Sequence, residues 1–526
     1  MRTLLGVPAL VRLILRRDRL RLAIWVGALV ALTYGSAAAV ARTYDTPAEI
    51  ASYAVNIGGS PASIAISGPP IALDTIGGIL VLETSLTVLI GVALMVIFTV
   101  VRHTRAEEEA GRTELLVSTV VGRHAGVAAA VLVSVLAGIL VGAGVTVSML
   151  SQDMAFEPAS LYGASVAALG LVFATVAAVA AQLTSHGRGA TGLALAVLGV
   201  AFGLRAVGDV QHSFLTWLSP VGWSQQVRVL DGNRWWPLLL SLALAVALLV
   251  AAWVLVTSRD VGSGIMPARP GPSEAAPALS SAGGLAWRQQ RASVLAWSVG
   301  TLVMGLMFGS LTQEMQNMVR DNPTLAQYFE GTGGSVTDSL FATALLFVGL
   351  AAAGFAVGSV LRLHQEESAG RLEPLLATGE SRVRVLVGTV AVAVVGSAVV
   401  VLAGGLGMAI TYGQISGEQG AAARLVALAF VQTPAVLVLA GVAVALVGWL
   451  PRLTLLAWAG VALAFVVGWL GGLLKLPAWV RGLSAFDHVP AVPVDDVSML
   501  PLLALTLVAV GLATAGLLGF RQRDIG

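Results

Sequence analysis

The sequence predicts an all-α integral membrane protein: twelve transmembrane helices arranged as two parallel six-helix repeats, a pseudo-dimer. Three observations predict it. Hydrophobic residues fill 57% of the 526 positions and charged residues only 11%, against about a quarter charged in an ordinary soluble domain. Twelve apolar stretches of membrane length recur along the chain; spans of about 20 residues each need roughly 240 apolar-rich positions, which this composition supplies. Four short motifs of the first half return in the same order in the second.

In chain order, the first element is amphipathic. Val7, Leu10, Val11, Ile14 and Leu15 fall at helical spacing among Arg12, Arg16, Arg17 and Arg19, the pattern of a helix lying in the inner interface. Spans follow near 22–41, 76–101, 125–149, 159–184, 190–207 and 237–257. The first contains Ala39-Val40-Ala41, which looks like a cleavage site, but its apolar core is near 20 residues where a signal peptide has about 7–15. It reads as a retained helix. The second holds Glu83, roughly 10 Å from its start at the rise of an α-helix. A charge facing lipid that deep costs about 2.5–3.5 kcal/mol, so Glu83 must face water or the interior. It is either a site for cationic groups, a titrating carboxylate, or a packed residue paired with Arg205 or Arg424. Gly138-x-x-x-Gly142 and Gly199-x-x-x-Gly203 predict close helix packing. Trp217, Trp223, Trp235 and Trp236 fit an outer interfacial belt.

A first half of residues 1–257 is followed by a cytoplasmic linker, 258–292, whose first part carries four prolines with Gly, Ser and Ala. The second half, 293–526, has spans near 293–312, 338–361, 385–411, 424–448, 454–472 and 499–519. With the N-terminus inside, 22 of the 30 basic residues lie on the cytoplasmic side, so both termini are expected there, in the inner membrane of a bacterial cell. The repeat is written in four anchors. Trp25 with Gly35-Ser36 returns as Trp297 with Gly309-Ser310, and Tyr53 with Gly58-Gly59-Ser60 as Tyr328 with Gly333-Gly334-Ser335. Ala110-Gly111-Arg112-x-Glu114 returns as Ala369-Gly370-Arg371-x-Glu373, and Arg259-Asp260-Val261-Gly262 as Arg523-Asp524-Ile525-Gly526. Six spans per copy is an even number, which makes the repeats parallel, with the axis between them the natural pathway.

No catalytic constellation is visible. The only lysine is Lys475, and there is no GxxxxGK[ST], GxSxG or HExxH; zero cysteines exclude disulfides and thiolate chemistry. No metal site and no nucleic-acid partner is expected, so any work done on a substrate is driven by a gradient or by another protein. The informative segments are the two loops after the second span of each half, which hold eight of the 28 acidic residues. Glu107, Glu108, Glu109 and Glu114 lie in one, and Glu366, Glu367, Glu373 and Glu380 in the other, with Arg102, Arg105, Arg112, Arg362 and Arg371 among them. Gly111 and Gly370 break the descending helix, and a short helix with acid in its first turn and a leucine ridge then begins. A solvated turn would also carry such charges. The repetition in matching positions, with leucines beside acid, points instead to a partner groove.

The pattern E-x-x-x-G-R-x-E-L-L at 107–116, echoed as E-x-x-x-G-R-x-E-P-L-L at 366–376, resembles the coupling helix of type-2 ABC exporter permeases. The outer segment Trp217-Leu218-Ser219-Pro220-Val221-Gly222-Trp223, running on to Trp235-Trp236-Pro237, resembles the fused, double-length subgroup of polyketide-antibiotic exporter permeases. The resemblance implies one coupling site of Glu107, Glu108, Gly111, Arg112, Glu114, Leu115 and Leu116, and another of Glu366, Glu367, Gly370, Arg371, Glu373, Leu375 and Leu376. It implies a separate cytoplasmic ATPase, two copies, bringing the ATP and Mg²⁺ sites, and short re-entrant helices at the outer mouth, where Pro220 and Trp223 would form a gate. The second half departs there, with Ser484-Ala485-Phe486-Asp487-His488. The substrate class implied is hydrophobic or amphipathic small molecules exported as drugs or antibiotics. Phe98, Phe202, Phe347 and Phe465 are candidates to line its path, against plain lipid-facing or core placement. The rivals are a proton-driven secondary multidrug transporter, which needs titrating groups along the path, and a non-transporting membrane scaffold or signalling component.

Overall fold

A computed structural model describes residues 2–44, 46–58, 61–117, 121–260, 262–266, 273–321, 336–416, 420–470 and 477–523. The described residues are mostly helical, with no strand among them. The chain forms two compact units, Met1–Gly271 and Pro272–Gly526. The first unit contains α1 (Val7–Thr43), α2 (Pro47–Gly58), α3 (Pro61–Ser67), α4 (Ile76–His103), α5 (Arg105–Glu109), α6 (Arg112–Val117), α7 (Ala125–Leu150), α8 (Phe156–Leu183), α9 (Gly187–Val210), α10 (Pro220–Gln225) and α11 (Pro237–Thr257). The second contains α12 (Ala282–Asp321), α13 (Val336–Ser368), α14 (Leu372–Ala377), α15 (Arg382–Ser416), α16 (Ala421–Ala429), α17 (Thr433–Trp449), α18 (Leu456–Phe465), α19 (Ala478–Arg481) and α20 (Met499–Gln522).

Eleven helical segments among the described residues are long and apolar enough to cross a membrane. They match eleven of the twelve expected spans. The stretch expected at 454–472 differs: the apolar helix there covers Leu456–Gly468, its last turns widening into a π-helical turn over Val466–Leu470. Over Leu456–Gly468 it rises about 20 Å at 1.5 Å per residue, and positions 471–472 of the expected stretch lie outside the described residues. One span is assembled from pieces: α16, a 3-10 turn at Phe430–Gln432, and α17, whose Pro434 lacks an N–H and interrupts the ladder.

The same neighbours recur in each unit. In the first, α1 packs on α4 and α7, α4 on α7 and α8, and α8 on α9 and α11. In the second, α12 packs on α13 and α15, α13 on α15 and α17, and α17 on α18 and α20. Each unit has its own buried apolar cluster, centred on Val92, Val96, Val141 and Phe173 in one and on Val348, Ala352, Val400 and Val447 in the other. Small residues set the tightest crossings. A Cβ on Gly142 would meet the Gly163 carbonyl oxygen at 2.4 Å, and one on Gly448 the Gly516 carbonyl oxygen at 2.1 Å. Gly199 and Gly203 have nothing within 4 Å of such a Cβ; the first G-x-x-x-G pair packs as expected, the second does not.

The expected interfacial helix and first span are one helix, α1, broken only at Asp18 (φ −105°, ψ 15°). Leu10, Ile14, Asp18 and Leu22 are buried along one seam while Leu13 and Leu15 are exposed, so the amphipathic stretch rests on its own unit. The second unit starts alike: α12 begins at Ala282, inside the stretch read as linker. The second-copy anchor Tyr328 with Gly333-Gly334-Ser335 lies outside the described residues.

Candidate functional site

The two acidic loops are built on one plan. In the first, α4 ends at Thr104 (φ −121°, ψ −87°), α5 carries the glutamates, and Gly111 at φ +72° turns the chain into α6. In the second, α13 runs on through the glutamates to Ser368, and Gly370 at φ +68° turns it into α14. That left-handed conformation suits glycine and strains other residues.

Within each loop the two expected glutamates hold matching partners. Glu107 accepts from Arg112 Nε at 2.5 Å and from Arg17 Nη1 at 2.6 Å; Glu366 accepts from Arg371 Nε at 2.5 Å, with Arg362 at 3.8 Å. Glu108 sits in a fork of Arg259, whose Nη1 and Nη2 reach its two carboxylate oxygens at 2.6 and 2.8 Å, and it also accepts from Gly262 N at 2.6 Å and lies 2.8 Å from Arg105. Glu367 holds Arg523, with His364 at 3.5 Å. Glu109 caps the start of α9 by accepting from Gly187 N at 2.9 Å. A cavity of about 140 Å³ opens beside the first loop, lined by Leu10, Ile14, Arg17, Glu107, Glu108 and Arg259 among others. The second loop has a counterpart of about 260 Å³, lined by Leu285, Gln290, Glu366, Arg371, Leu372 and Leu375 among others.

Beyond the glycines the loops face outward. Gly111, Arg112 and Glu114 are exposed, as are Gly370, Arg371 and Glu373. Leu375 and Leu376 are half-buried and pack on the core of their own unit, below a fully seated Leu372. The free face of α14 is therefore its acid and proline, with the leucine ridge turned partly inward. The side chains of Leu115 and Leu116 lie outside the described residues.

The residues missed by sequence reasoning are Arg259 and Arg523 as partners of the loop glutamates. Their signal was present: Arg-Asp-x-Gly was one of the four repeated anchors. Nothing in its composition revealed that the arginine points at a loop some 150 residues earlier.

The expected pathway residues divide between the two units, Glu83, Phe98 and Phe202 in the first and Phe347 and Phe465 in the second. Glu83 is exposed and accepts from the Tyr53 hydroxyl; Arg205, offered as its partner, instead lies 3.7 Å from Asp209 and donates to the carbonyls of Ile64 and Ile66 at 3.2 and 2.9 Å. Arg205 is fully buried, and the neighbouring Asp209 and two carbonyls of α3 satisfy it better than a distant carboxylate. Phe98 lies against Trp25, and Phe202 carries the Arg205 guanidinium 4.6 Å above its ring. Phe347 meets Phe308 and Phe465 at ring distances of 6.0 and 6.2 Å. In the outer segment, Pro220 starts α10 behind Ser219, whose hydroxyl accepts from Val221 N and Gly222 N and donates to Ala201 O at 2.6 Å. Trp223 Nε1 donates to Trp217 O at 2.7 Å, and Trp217 stacks on Trp236. That makes a short, tightly seated helix between α9 and α11.

The chain matches the family described as multidrug efflux system permease Rv1217c, C-terminal domain, over residues 9–256 and 279–521, one stretch in each half. It is 42% identical over 525 residues to the multidrug efflux system permease protein Rv1217c of Mycobacterium tuberculosis (strain ATCC 25618 / H37Rv), covering 99% of this chain and 95% of that one. The chain belongs to this family of multidrug efflux permeases. With eleven membrane-length helices among the described residues, it is a multi-pass membrane protein whose role is transport. In both loops a short helix follows a left-handed glycine, and the glutamates at its root are held by ion pairs.

Proposed function

We propose that this permease is the membrane half of an ATP-driven exporter of hydrophobic or amphipathic small molecules, working with a separate cytoplasmic ATPase present in two copies. The observation that carries this reading is the paired loop: an exposed glutamate on a short helix, Glu114 on α6 and Glu373 on α14, after a left-handed glycine in each half. Two copies of one docking element suit two copies of one partner. The ATP and Mg²⁺ sites belong to that partner, since no phosphate-binding loop occurs in this sequence. Closure of the ATPase pair pushes on both loops and biases the spans between two arrangements, with no bond chemistry in the membrane. Both termini and both loops are then cytoplasmic, and the stretch 454–472 completes a twelfth crossing.

Affinity purification from native membranes, with and without Glu114→Lys and Glu373→Lys together, tests this. A P-loop ATPase that elutes with the wild type and is lost from the double variant is the expected result. No such subunit, together with dye efflux that collapses with the proton gradient, would establish the proton-driven reading instead.

A further inference from the structure

Arg259 and Arg523 stand just past the last helices of their units, α11 ending at Thr257 and α20 at Gln522. A cation there also suits the negative end of the helix dipole. The backbone of each is pinned as well as its side chain. The Arg259 carbonyl accepts from Arg123 Nη2, and the Arg523 carbonyl accepts from Arg382 Nη1 at 2.6 Å. Arg123 and Arg382 sit at the starts of the next long helices, α7 and α15. Each arginine reaches a third element of its unit too: Arg259 Nε donates to Gln182 Oε1 at 2.9 Å, and Arg523 Nη1 donates to Val447 O at 2.9 Å. Side-chain exposure is 10% and 7% for Arg259 with Glu108, and 18% and 14% for Arg523 with Glu367. Ion pairs this sheltered are costly to break by removing one partner, because the other charge is left unpaired.

We infer that Arg259 and Arg523 are positioning residues that latch each acidic loop to the last helix of its own half, so that displacement of the loop moves that helix. The inference rests on the proposed coupling role of the loops and goes beyond it by naming what each loop is fastened to. The same latch built twice, from one repeated motif, is its support. Arginine is required, because its planar fork spans both carboxylate oxygens or a carboxylate and a carbonyl at once, and a lysine ammonium cannot.

The test uses the full chain in membranes with Arg259→Lys, Arg523→Lys, and the exchange Glu108→Arg with Arg259→Glu. Two measurements are made: amide hydrogen exchange over 105–109 and 366–377, and efflux of a fluorescent cationic dye as a function of concentration. Arg259→Lys should speed exchange in the first loop about tenfold, the scale of one lost charge-assisted hydrogen bond, and leave the second loop unchanged. Arg523→Lys should do the reverse. Maximal efflux should fall in both variants at an unchanged half-saturating dye concentration, and the charge exchange should recover part of the lost protection. Unchanged loop exchange in both lysine variants overturns the latch, as does a shifted half-saturating concentration at full maximal rate. If the exchange results hold but no ATPase elutes with the wild type, the latch stands and the ATPase reading falls. An ATPase that elutes with loops indifferent to both arginines is the opposite case.

Discussion

Gly370 sits at φ +68° with open space where a Cβ would project, whereas a Cβ on Gly222 would meet the Thr216 carbonyl oxygen at 2.2 Å. The two glycines are needed for different reasons, and alanine separates them. Gly370→Ala should cost about 1–2 kcal/mol of backbone strain, confined to the loop. It should appear as faster amide exchange in α14 with little change in thermal midpoint. Gly222→Ala should force α10 off the 3-10 turn at Phe214–Leu218 at about 1–3 kcal/mol and lower the midpoint of the detergent-solubilised protein. Gly199→Ala, with nothing within 4 Å, is the control and should do neither. Glu83 poses a different question. Burial, then the hydrogen bond to Glu83, raises the Tyr53 phenol above its usual value, so Tyr53 stays a donor throughout the physiological pH range. Glu83→Gln keeps an oxygen for that donor and removes the charge. We expect it to weaken efflux of a cationic dye several-fold more than of a neutral one; equal effects on both would assign Glu83 to packing.

At the level of elements, the break in α1 is set by one buried carboxylate. Asp18 accepts from His103 Nε2 at 2.7 Å and lies 3.2 Å from Arg102 Nε, with side-chain exposure of 2%. It ties α1 to the end of α4, just above the acidic loop. Asp18→Ala leaves the buried His103 without its acceptor and should cost about 1–3 kcal/mol, read as loss of folded protein from the membrane. The second half shows what suffices: in α12, as far before Trp297 as Asp18 is before Trp25, the buried Gln290 accepts from Ser359 Oγ at 2.5 Å. A neutral amide does that work, so Asp18→Asn should keep most of the stability. Helix existence was legible in the sequence because twenty apolar residues in a row have one stable outcome in a bilayer. The ends were less so. Composition does not separate the amphipathic start of α1 from its span, and nothing in 454–472 announces the π-helical turn at Val466–Leu470. The glutamates and glycines of the loops could be read from local spacing; their partners Arg259 and Arg523 could not, because a contact across 150 residues leaves no local trace.

The duplication governs the whole molecule, and its imperfections are informative. The neighbours of each long helix, the left-handed glycine of each loop and the arginine past each last helix are repeated. The outer segments are not. Ser219 caps α10 through its hydroxyl, while Ser484 precedes a 3-10 turn, Ala485–His488, and caps nothing. The repeat is therefore kept at the acidic loops and relaxed in the segment before the last span of each half. The separate buried clusters of the two halves make a strong prediction. Each half contains its own core, its own loop and its own arginine, so the covalent link through 267–272 should contribute proximity alone. Two chains, 1–271 and 272–526, expressed together should both accumulate in the membrane and restore dye efflux to a large fraction of the intact level. Each should show the same amide protection in its acidic loop as the intact protein. If either half is degraded in the presence of the other, or its loop loses protection, then the two units fold as one, and the repeat describes ancestry without independence.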